Sequence, residues 1–458
     1  MESSRAAREH YKYVIVGAGP TGLGAAYRLA ELGEHDFLVL EQNPYPGGLS
    51  ASFKDQNGFT WDLGGHVVFS HYPYFDQLLG DLLQGEYLNH QRKAFIRIAG
   101  TWVPYPFQNN IRYLPPSLRW ECIHGLLHLN RKNGEPDNFR EWILATFGEG
   151  IARHFMLPYN FKVWAFPPKL LDWRWIGERV SVIDLERVLR NVILEQDDVS
   201  WGPNNTFLFP LHGGTGEIFR RLATRVEDHI AYSNRLVSVQ PHEHLLQTDT
   251  GRLVTYEHLL NTSPLDRLIL ETIKTAPEAV RLAAEKLDHN GVHVVGIGID
   301  QTGDDDKCWM YFPESNCPFY RVTNFHNYSP KNTPKEGKQK AFMAEISFSF
   351  HKPQSEDSVV DETTEGLMNT QLLAESHTES IVSRWHARLD YAYPIPNKER
   401  DNALRIIHPW LESHGIYSRG RFGGWKYEVG NMDHSVMQGV EWADRMVLHR
   451  EEIVYVHS

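Results

Sequence analysis

The sequence predicts an α/β protein: a doubly wound domain that the chain leaves for a helical insert and an antiparallel sheet, and then re-enters. Three observations carry this. The chain has 458 residues, room for roughly three domains. Hydrophobic residues make up 41% and aromatics 12%, while 35 Gly and 25 Pro show no low-complexity bias, which excludes disordered, collagenous and coiled-coil classes. A strand, a glycine-rich turn and a helix open the chain, and Val292 to Ile299 and Phe342 to Phe350 have β character.

The elements follow in order. Tyr11 to Val16 (YKYVIV) is a short apolar, β-branched strand. Gly17-Ala-Gly19-Pro-Thr-Gly22 follows, and then Leu23, Ala26, Leu29 and Ala30 at helical spacing. In this Rossmann-like pattern the first glycine permits the turn, the second lets a pyrophosphate approach the backbone, and the third lets helix pack on strand. Phe37 to Leu40 is a second apolar strand, and Glu41 ends it 24 residues after Gly17, where a carboxylate can bind a ribose hydroxyl. These residues predict a dinucleotide site. Two glycine doublets, Gly47-Gly48 and Gly64-Gly65, come shortly after and allow backbone to run along a second, longer stretch of cofactor.

Residues 11–85, 205–265 and 415–450 are expected to form the discontinuous FAD-binding domain. Residues 111–204 read as a helical, substrate-side domain, with Val188, Val192 and Leu194 beside Arg187 and Asn191. Residues 86–110 and 266–414 read as the antiparallel sheet domain, with β character at Val292 to Ile299 and Phe342 to Phe350. Residues 329–341, bearing Lys331, Lys335, Lys338 and Lys340, are expected to be an exposed loop, and acid-rich 351–380 a solvated loop and helix. Val436, Val440, Ala443 and Val447 mark a late helix that opens after Asp433.

Charge and cysteine usage bound the partners. With 46 Lys and Arg against 58 Asp and Glu the net charge is −12, which repels nucleic acid and acidic membrane surfaces. An anionic substrate therefore needs local arginines. Cys122, Cys308 and Cys317 form no CxxC and no zinc spacing, so no metal is expected and a reducing compartment fits. His242-Glu243-His244 reads as a solvated turn. The opening MESSRAAREH has no apolar signal core, no run of 18 apolar residues occurs, and EEIVYVHS carries no prenylation or retention signal. The expected location is the cytoplasm.

The glycine motifs resemble the flavoprotein superfamily of amine oxidases, protoporphyrinogen oxidase and UDP-galactopyranose mutase. Amine oxidases usually place a basic residue straight after the first doublet, where this chain has Leu49. The blocks HQRKAFIRIAGTWVPYPFQNN (90–110), FMLPYNFKVWAFP (155–167), WIGERV (175–180), WGPNNTFLFPLHGGTGEIF (201–219), KCWMYFPESNCPFYRVTNFHNYSP (307–330) and SRGRFGGWKYEVGNMDHSVMQGVEWADRM (418–446) are similar to the eukaryotic branch of the UDP-galactopyranose mutase family. The similarity extends over about 430 residues.

The resemblance implies a set of site residues. Arg179 and Arg321 match the family's diphosphate-binding arginines, a role that suits the guanidinium fork, with ion pairs to Glu178 or Glu314 as the alternative. Tyr159, Asn160, Phe161 and Trp164 match the nucleotide- and sugar-lining segment, Asn204 a sugar-side amide, and Tyr311, Tyr328, Tyr393 and Tyr427 tyrosines near the diphosphate. Gly64, Gly65 and His66 match a redox-responsive loop beside the isoalloxazine, the His66 carbonyl accepting the N5 hydrogen of reduced flavin. Gly430, Asn431, Met432 and Ser435 match the flavin's pyrimidine edge at a helix start that favours negative charge, with Met432 where many eukaryotic relatives have Gln. Arg92 and Arg421, with Tyr105 and Gln108, match the region that accepts NADPH, and Ala94 stands where a small hydroxyl residue is expected.

What the family does is then the expectation for this chain: isomerisation of UDP-galactopyranose to UDP-galactofuranose, a precursor for cell-wall and glycan synthesis. The reaction proceeds without net redox change through a flavin N5–sugar adduct on reduced FAD, with NADPH as the reductant. Alternatives are an FAD oxidase or desaturase acting on an amine or apolar substrate, and a catalytically silent UDP-sugar-binding flavoprotein. The oligomeric state is left open, since a homo-oligomer would use surfaces the sequence does not mark.

Overall fold

The computed structural model describes residues 8–129, 134–177, 183–199, 205–303 and 305–455. Strand Arg8–Val16 ends in four buried residues and passes through the glycine turn into helix Pro20–Glu31, where Gly19 is the N-cap and no side chain caps the first turn. Phe37–Leu40 and Leu253–Asn261 pair with Arg8–Val16 in parallel, one on each side. The sheet runs Leu236–Gln240, Leu245–Thr248, Leu253–Asn261, Arg8–Val16, Phe37–Leu40, Ile230–Ala231, with Ile416–Ser418 pairing on Leu253–Asn261. Side-chain alternation splits the first strand between two cores. Tyr13 and Ile15 pack with helices Pro20–Glu31 and Met432–Leu448, while Val14 and Val16 pack on the other face with Ile407 and Leu411. A parallel strand buried on both faces must be apolar throughout, as YKYVIV nearly is.

The two covering helices cross at glycines. A Cβ on Gly24 would lie 2.6 Å from the Val436 carbonyl oxygen, and one on Gly439 2.0 Å from that of Thr21. Close approach of these backbones brings the starts of both helices to one cavity.

The second sheet runs Ile381–Pro394, His289–Ile299, Lys340–Phe348, Arg321–Asn324, Trp309–Tyr311, Ala94–Ile98, Thr101–Pro104. It is antiparallel except where Trp309–Tyr311 pairs with Ala94–Ile98. Its longest strand, Ile381–Pro394, was not anticipated, because outward-facing Arg384, Arg388 and Asp390 dilute its apolar pattern. Helices Pro116–Leu127, Phe139–Ile151, Leu157–Trp164 and Leu185–Ile193 make up the helical segment. Val188 is its buried contact, whereas Leu194 is exposed beyond the helix end.

Three expectations need correction. Thr206–Pro210 does not join the first sheet: it pairs with Tyr87–Gln91, because Phe207 and Phe209 turn into the aromatic core around Phe325 and Tyr328. The chain re-enters the first domain's core at helix Gly216–Thr224, through Ile218, Phe219 and Leu222, with Leu208 of the strand packed at its edge. Residues 329–341 are not uniformly exposed, since Ser329, Asn332 and Thr333 are buried and Asn332 donates to the Phe325 carbonyl. Phe350 lies outside its expected strand and is 95% exposed. Among the described residues, no helix is long and apolar enough to cross a membrane.

Candidate active site

A cavity of about 1300 Å³ is lined by residues of both sheets and of helix Leu157–Trp164. At one end lies the glycine cradle. Gly17 adopts φ +102°, and a Cβ there would sit 2.4 Å from Thr262 Oγ1. A Cβ on Gly22 would meet the Gly17 carbonyl oxygen at 1.9 Å, so the third glycine stands behind the lining and lets the helix close on the turn. Gly19 and Gly48 line the cavity, and a Cβ on Gly48 would approach the Gly19 Cα to 3.2 Å; Gly47, at φ +107°, supports that turn from outside the lining. Glu41 also lines it, accepting hydrogen bonds of 2.8 Å from the Ala18 amide and from the Asn43 amide and side chain. Burial raises the pKa of Glu41, and those three donors oppose the rise.

The middle of the cavity is organised by a residue that the sequence reading missed. Glu345 accepts from Arg321 Nε and Nη2 at 2.7 and 2.8 Å, from the Tyr320 hydroxyl at 2.7 Å, and from the Gly65 amide at 3.0 Å. Burial disfavours charge on both partners, but their mutual attraction outweighs it: Arg321 is held well above the ordinary arginine range and Glu345 below the carboxylate range. Arg321 therefore pairs with Glu345, not Glu314, whose side chain accepts from the Ala99 amide. A single acid inside the buried strand KAFMAEISF was the available signal for Glu345.

His66 lies in the lining with its Nδ1 buried and without a hydrogen-bond partner. Burial, then the positive charges of Arg421 and Arg321, hold its pKa down to about 3, so the imidazole is neutral near pH 7. Gly430, Asn431, Met432 and Ser435 also line the cavity, at the start of the 17-residue helix Met432–Leu448, where no side chain caps the first turn. Arg421 donates to the Gly430 carbonyl at 2.9 Å and fixes that start. Asp433 accepts from His71 Nδ1 at 2.7 Å and His434 Nδ1 at 2.9 Å, tying the loop after His66 to the helix. An FAD fits these residues: a cradle closed to side chains, an orphaned imidazole nitrogen in the lining, and two helix starts suited to anionic groups.

The far end is aromatic. A π-turn, Ala152–Met156, precedes helix Leu157–Trp164. That helix supplies Tyr159, Asn160 and Trp164 to the lining. Tyr159 meets Tyr311 edge-on at 5.4 Å, and Trp164 meets Tyr427 at 4.9 Å and Tyr393 at 5.9 Å. Asn160 Nδ2 donates back to the Met156 carbonyl at 2.7 Å. Tyr105 and Gln108 line the cavity beside Arg92, whose guanidinium lies 4.9 Å from the Tyr105 ring and 4.8 Å from the Trp309 ring. Phe161 is absent from the lining. So is Tyr328, contrary to expectation: it is fully buried, packed on Phe207 and Phe209 behind the wall. Arg179, Glu178 and Asn204 lie outside the described residues. His244 faces the Tyr256 carbonyl and His242 packs on His414, with no third ligand gathered there among the described residues.

The family profile for flavin containing amine oxidoreductase matches residues 20–447. A crystal structure of reduced UDP-galactopyranose mutase superposes with a TM-score of 0.94 at 43% identity, covering 97% of this chain and 96% of that one. The chain belongs to the UDP-galactopyranose mutase family of flavin-containing amine oxidoreductases. A putrescine oxidase with putrescine bound is similar in fold alone, at a TM-score of 0.63 and 14% identity over 96% of this chain and all of that one. The 15-cis-phytoene desaturase of Glycine max is 42% identical over 69 residues, 15% of this chain and only 12% of the desaturase. Within the mutase family, then, the continuous cavity joins a dinucleotide cradle to an arginine and tyrosine wall.

Proposed function

We propose that this chain is a UDP-galactopyranose mutase, an isomerase that interconverts UDP-galactopyranose and UDP-galactofuranose with bound FAD in its reduced form. The observation that carries this is the full-length similarity at 43% identity to a reduced mutase, in a chain whose cavity runs from the glycine cradle to Arg321 and Tyr311. Gly17, Gly19 and the start of helix Pro20–Glu31 would hold the pyrophosphate, and Glu41 the ribose. When bound, reduced flavin supplies a nitrogen nucleophile that no side chain need replace.

The protein's own groups do the positioning. Arg321, pinned by Glu345, presents its charge to the UDP diphosphate and stabilises it as a leaving group. Arg179 is its proposed partner in that role, and Asn204 a sugar contact. Tyr159, Tyr311, Tyr393 and Tyr427 enclose the sugar and diphosphate and exclude water. His66, neutral because of its low pKa, acts through its place in the loop and not as an acid. Asn431 and Met432 place a helix start where negative charge at the pyrimidine edge is favoured.

NADPH is the proposed reductant, supported by Arg92 held between the Tyr105 and Trp309 rings and by Arg421 nearby in the lining. A cytoplasmic location is part of the same proposal, supported by three unbridged, buried thiols. The deciding experiment is turnover of UDP-galactofuranose by FAD-loaded protein, with and without dithionite. Conversion to UDP-galactopyranose only after reduction is expected. No conversion by reduced holoenzyme, or equal conversion in air without reductant, overturns the proposal.

A further inference from the structure

Two walls of the cavity meet at a buried amine and a buried thiol. Lys162, on helix Leu157–Trp164, is only 8% exposed. Its Nζ lies 2.8 Å from the Glu314 carbonyl oxygen, 2.9 Å from the Cys317 carbonyl oxygen and 3.4 Å from Cys317 Sγ. Cys317 belongs to the connection between strands Trp309–Tyr311 and Arg321–Asn324 and is 5% exposed, while its neighbours Ser315 and Asn316 are at the surface. Its position is set from the other side by helix Val359–Asn369, since a Cβ on Gly366 would lie 2.9 Å from the Cys317 Cβ.

Two carbonyl oxygens and the sulfur accept from the three directions of the amine, which holds Nζ against Sγ in a fixed geometry. Burial lowers the pKa of Lys162, and nearby Lys352 is likewise pushed down to about 8, chiefly by burial. Nothing in the mutase reaction proposed above uses this cluster.

We infer that Lys162 and Cys317 are an oxidisable pair that closes into a covalent nitrogen–oxygen–sulfur bridge, latching the helix that carries Tyr159, Asn160 and Trp164 to the hairpin that carries Tyr311 and Arg321. The oxidant is dioxygen, or two equivalents of a peroxide that leave three waters. With dioxygen the amine loses one N–H hydrogen and the thiol its S–H hydrogen; N–O and O–S bonds form to one oxygen atom. The second oxygen accepts those two hydrogens and leaves as water. Nitrogen and sulfur each give up two electrons, four in all, which reduce both oxygen atoms. An excess of dithiol reverses the step, returning the bridging oxygen as water. The bridge differs from simple cysteine oxidation in that it fixes two cavity walls to each other.

The test uses the full-length, FAD-loaded protein exposed to air or hydrogen peroxide, denatured without reductant, digested and mapped by mass spectrometry. The expected result is a linked peptide pair containing Lys162 and Cys317, heavier than their sum by one oxygen and lighter by two hydrogens, and absent after dithiothreitol. Cys308, whose sulfur reaches the Gln91 carbonyl at 3.7 Å, and Cys122, buried in its helix, serve as internal controls that form no such pair. In Cys317→Ser the linked pair disappears. Recovery of Cys317 only as thiol, sulfenic or sulfinic acid, or disulfide overturns the inference, as does a link to Lys352 in place of Lys162. The wild-type map alone decides this, so a variant that fails to fold leaves the answer intact.

Discussion

At the scale of single residues, the site turns on the buried pair Arg321 and Glu345. Replacing Arg321 by Ala removes charge-assisted hydrogen bonds worth roughly 1.5 to 3 kcal/mol, so UDP affinity measured by calorimetry should fall about ten- to a hundredfold. It also strands Glu345, and breaking a buried pair from one side costs about 3 to 5 kcal/mol of stability. The double variant Arg321→Ala, Glu345→Gln should therefore recover part of the lost stability in denaturant titrations without recovering UDP affinity. If both recover together, the arginine is structural only. His66 gives a second prediction at this scale. Its folded pKa of about 3 lies below the ordinary 6.5, so as pH falls through 6.5 the unfolded chain takes up a proton that the folded one refuses. Stability is then lost progressively from about pH 6.5 down to about pH 3, and His66→Asn should flatten part of that acid limb. His293 and His326, each pushed down to about 4 chiefly by burial, contribute to the same limb, and an unchanged limb in His66→Asn would show that the imidazole is not desolvated in solution.

At the scale of elements, what matters is how closely two helices approach. Helices Pro20–Glu31 and Met432–Leu448 bring their uncapped starts to one cavity because glycines let their backbones touch. Gly439→Ala places a methyl 2.0 Å from the Thr21 carbonyl oxygen, which a rigid backbone cannot yield to. The substitution should cost about 1 to 3 kcal/mol and shift both helix starts, so that FAD binds more weakly as well. Reduced flavin content after purification, together with a lower Tm, is the expected outcome, and a fully loaded protein of wild-type Tm would contradict the close crossing. The helices themselves were legible in the sequence from apolar spacing at Leu23, Ala26 and Leu29 and at Val436, Val440 and Ala443. Strand Ile381–Pro394 was not, since exposed Arg384, Arg388 and Asp390 interrupt its apolar pattern.

At the scale of the molecule, the cavity is lined by residues from Val16 to Ser435, so the site is built from segments spread over nearly the whole chain. FAD that binds the folded state alone stabilises it by about 2.7 kcal/mol at a hundredfold excess over Kd. Stripping the flavin should lower Tm by several degrees, with recovery that tracks the logarithm of added FAD. A Tm indifferent to FAD would mean that the cradle and the far wall fold independently of each other.

What the sequence determined by itself is local. Glycine spacing at 17, 19 and 22 dictates a tight turn, in which Gly17 takes a left-handed φ and Gly22 has no room for a side chain, the apolar run before it dictates a buried strand, and Glu41 falls at the end of the next strand. These depend on contacts within a few tens of residues. The remainder depended on partners that sequence order does not pair. Glu345 reaches the Gly65 amide across 280 positions, Lys162 meets Cys317 across 155, and Tyr328 leaves the cavity because Phe207 and Phe209, from a distant strand, surround it. Burial decides such cases: a charge or hydroxyl acquires its pKa and its partner from whatever the folded backbone packs against it, and that neighbour is chosen by the tertiary structure.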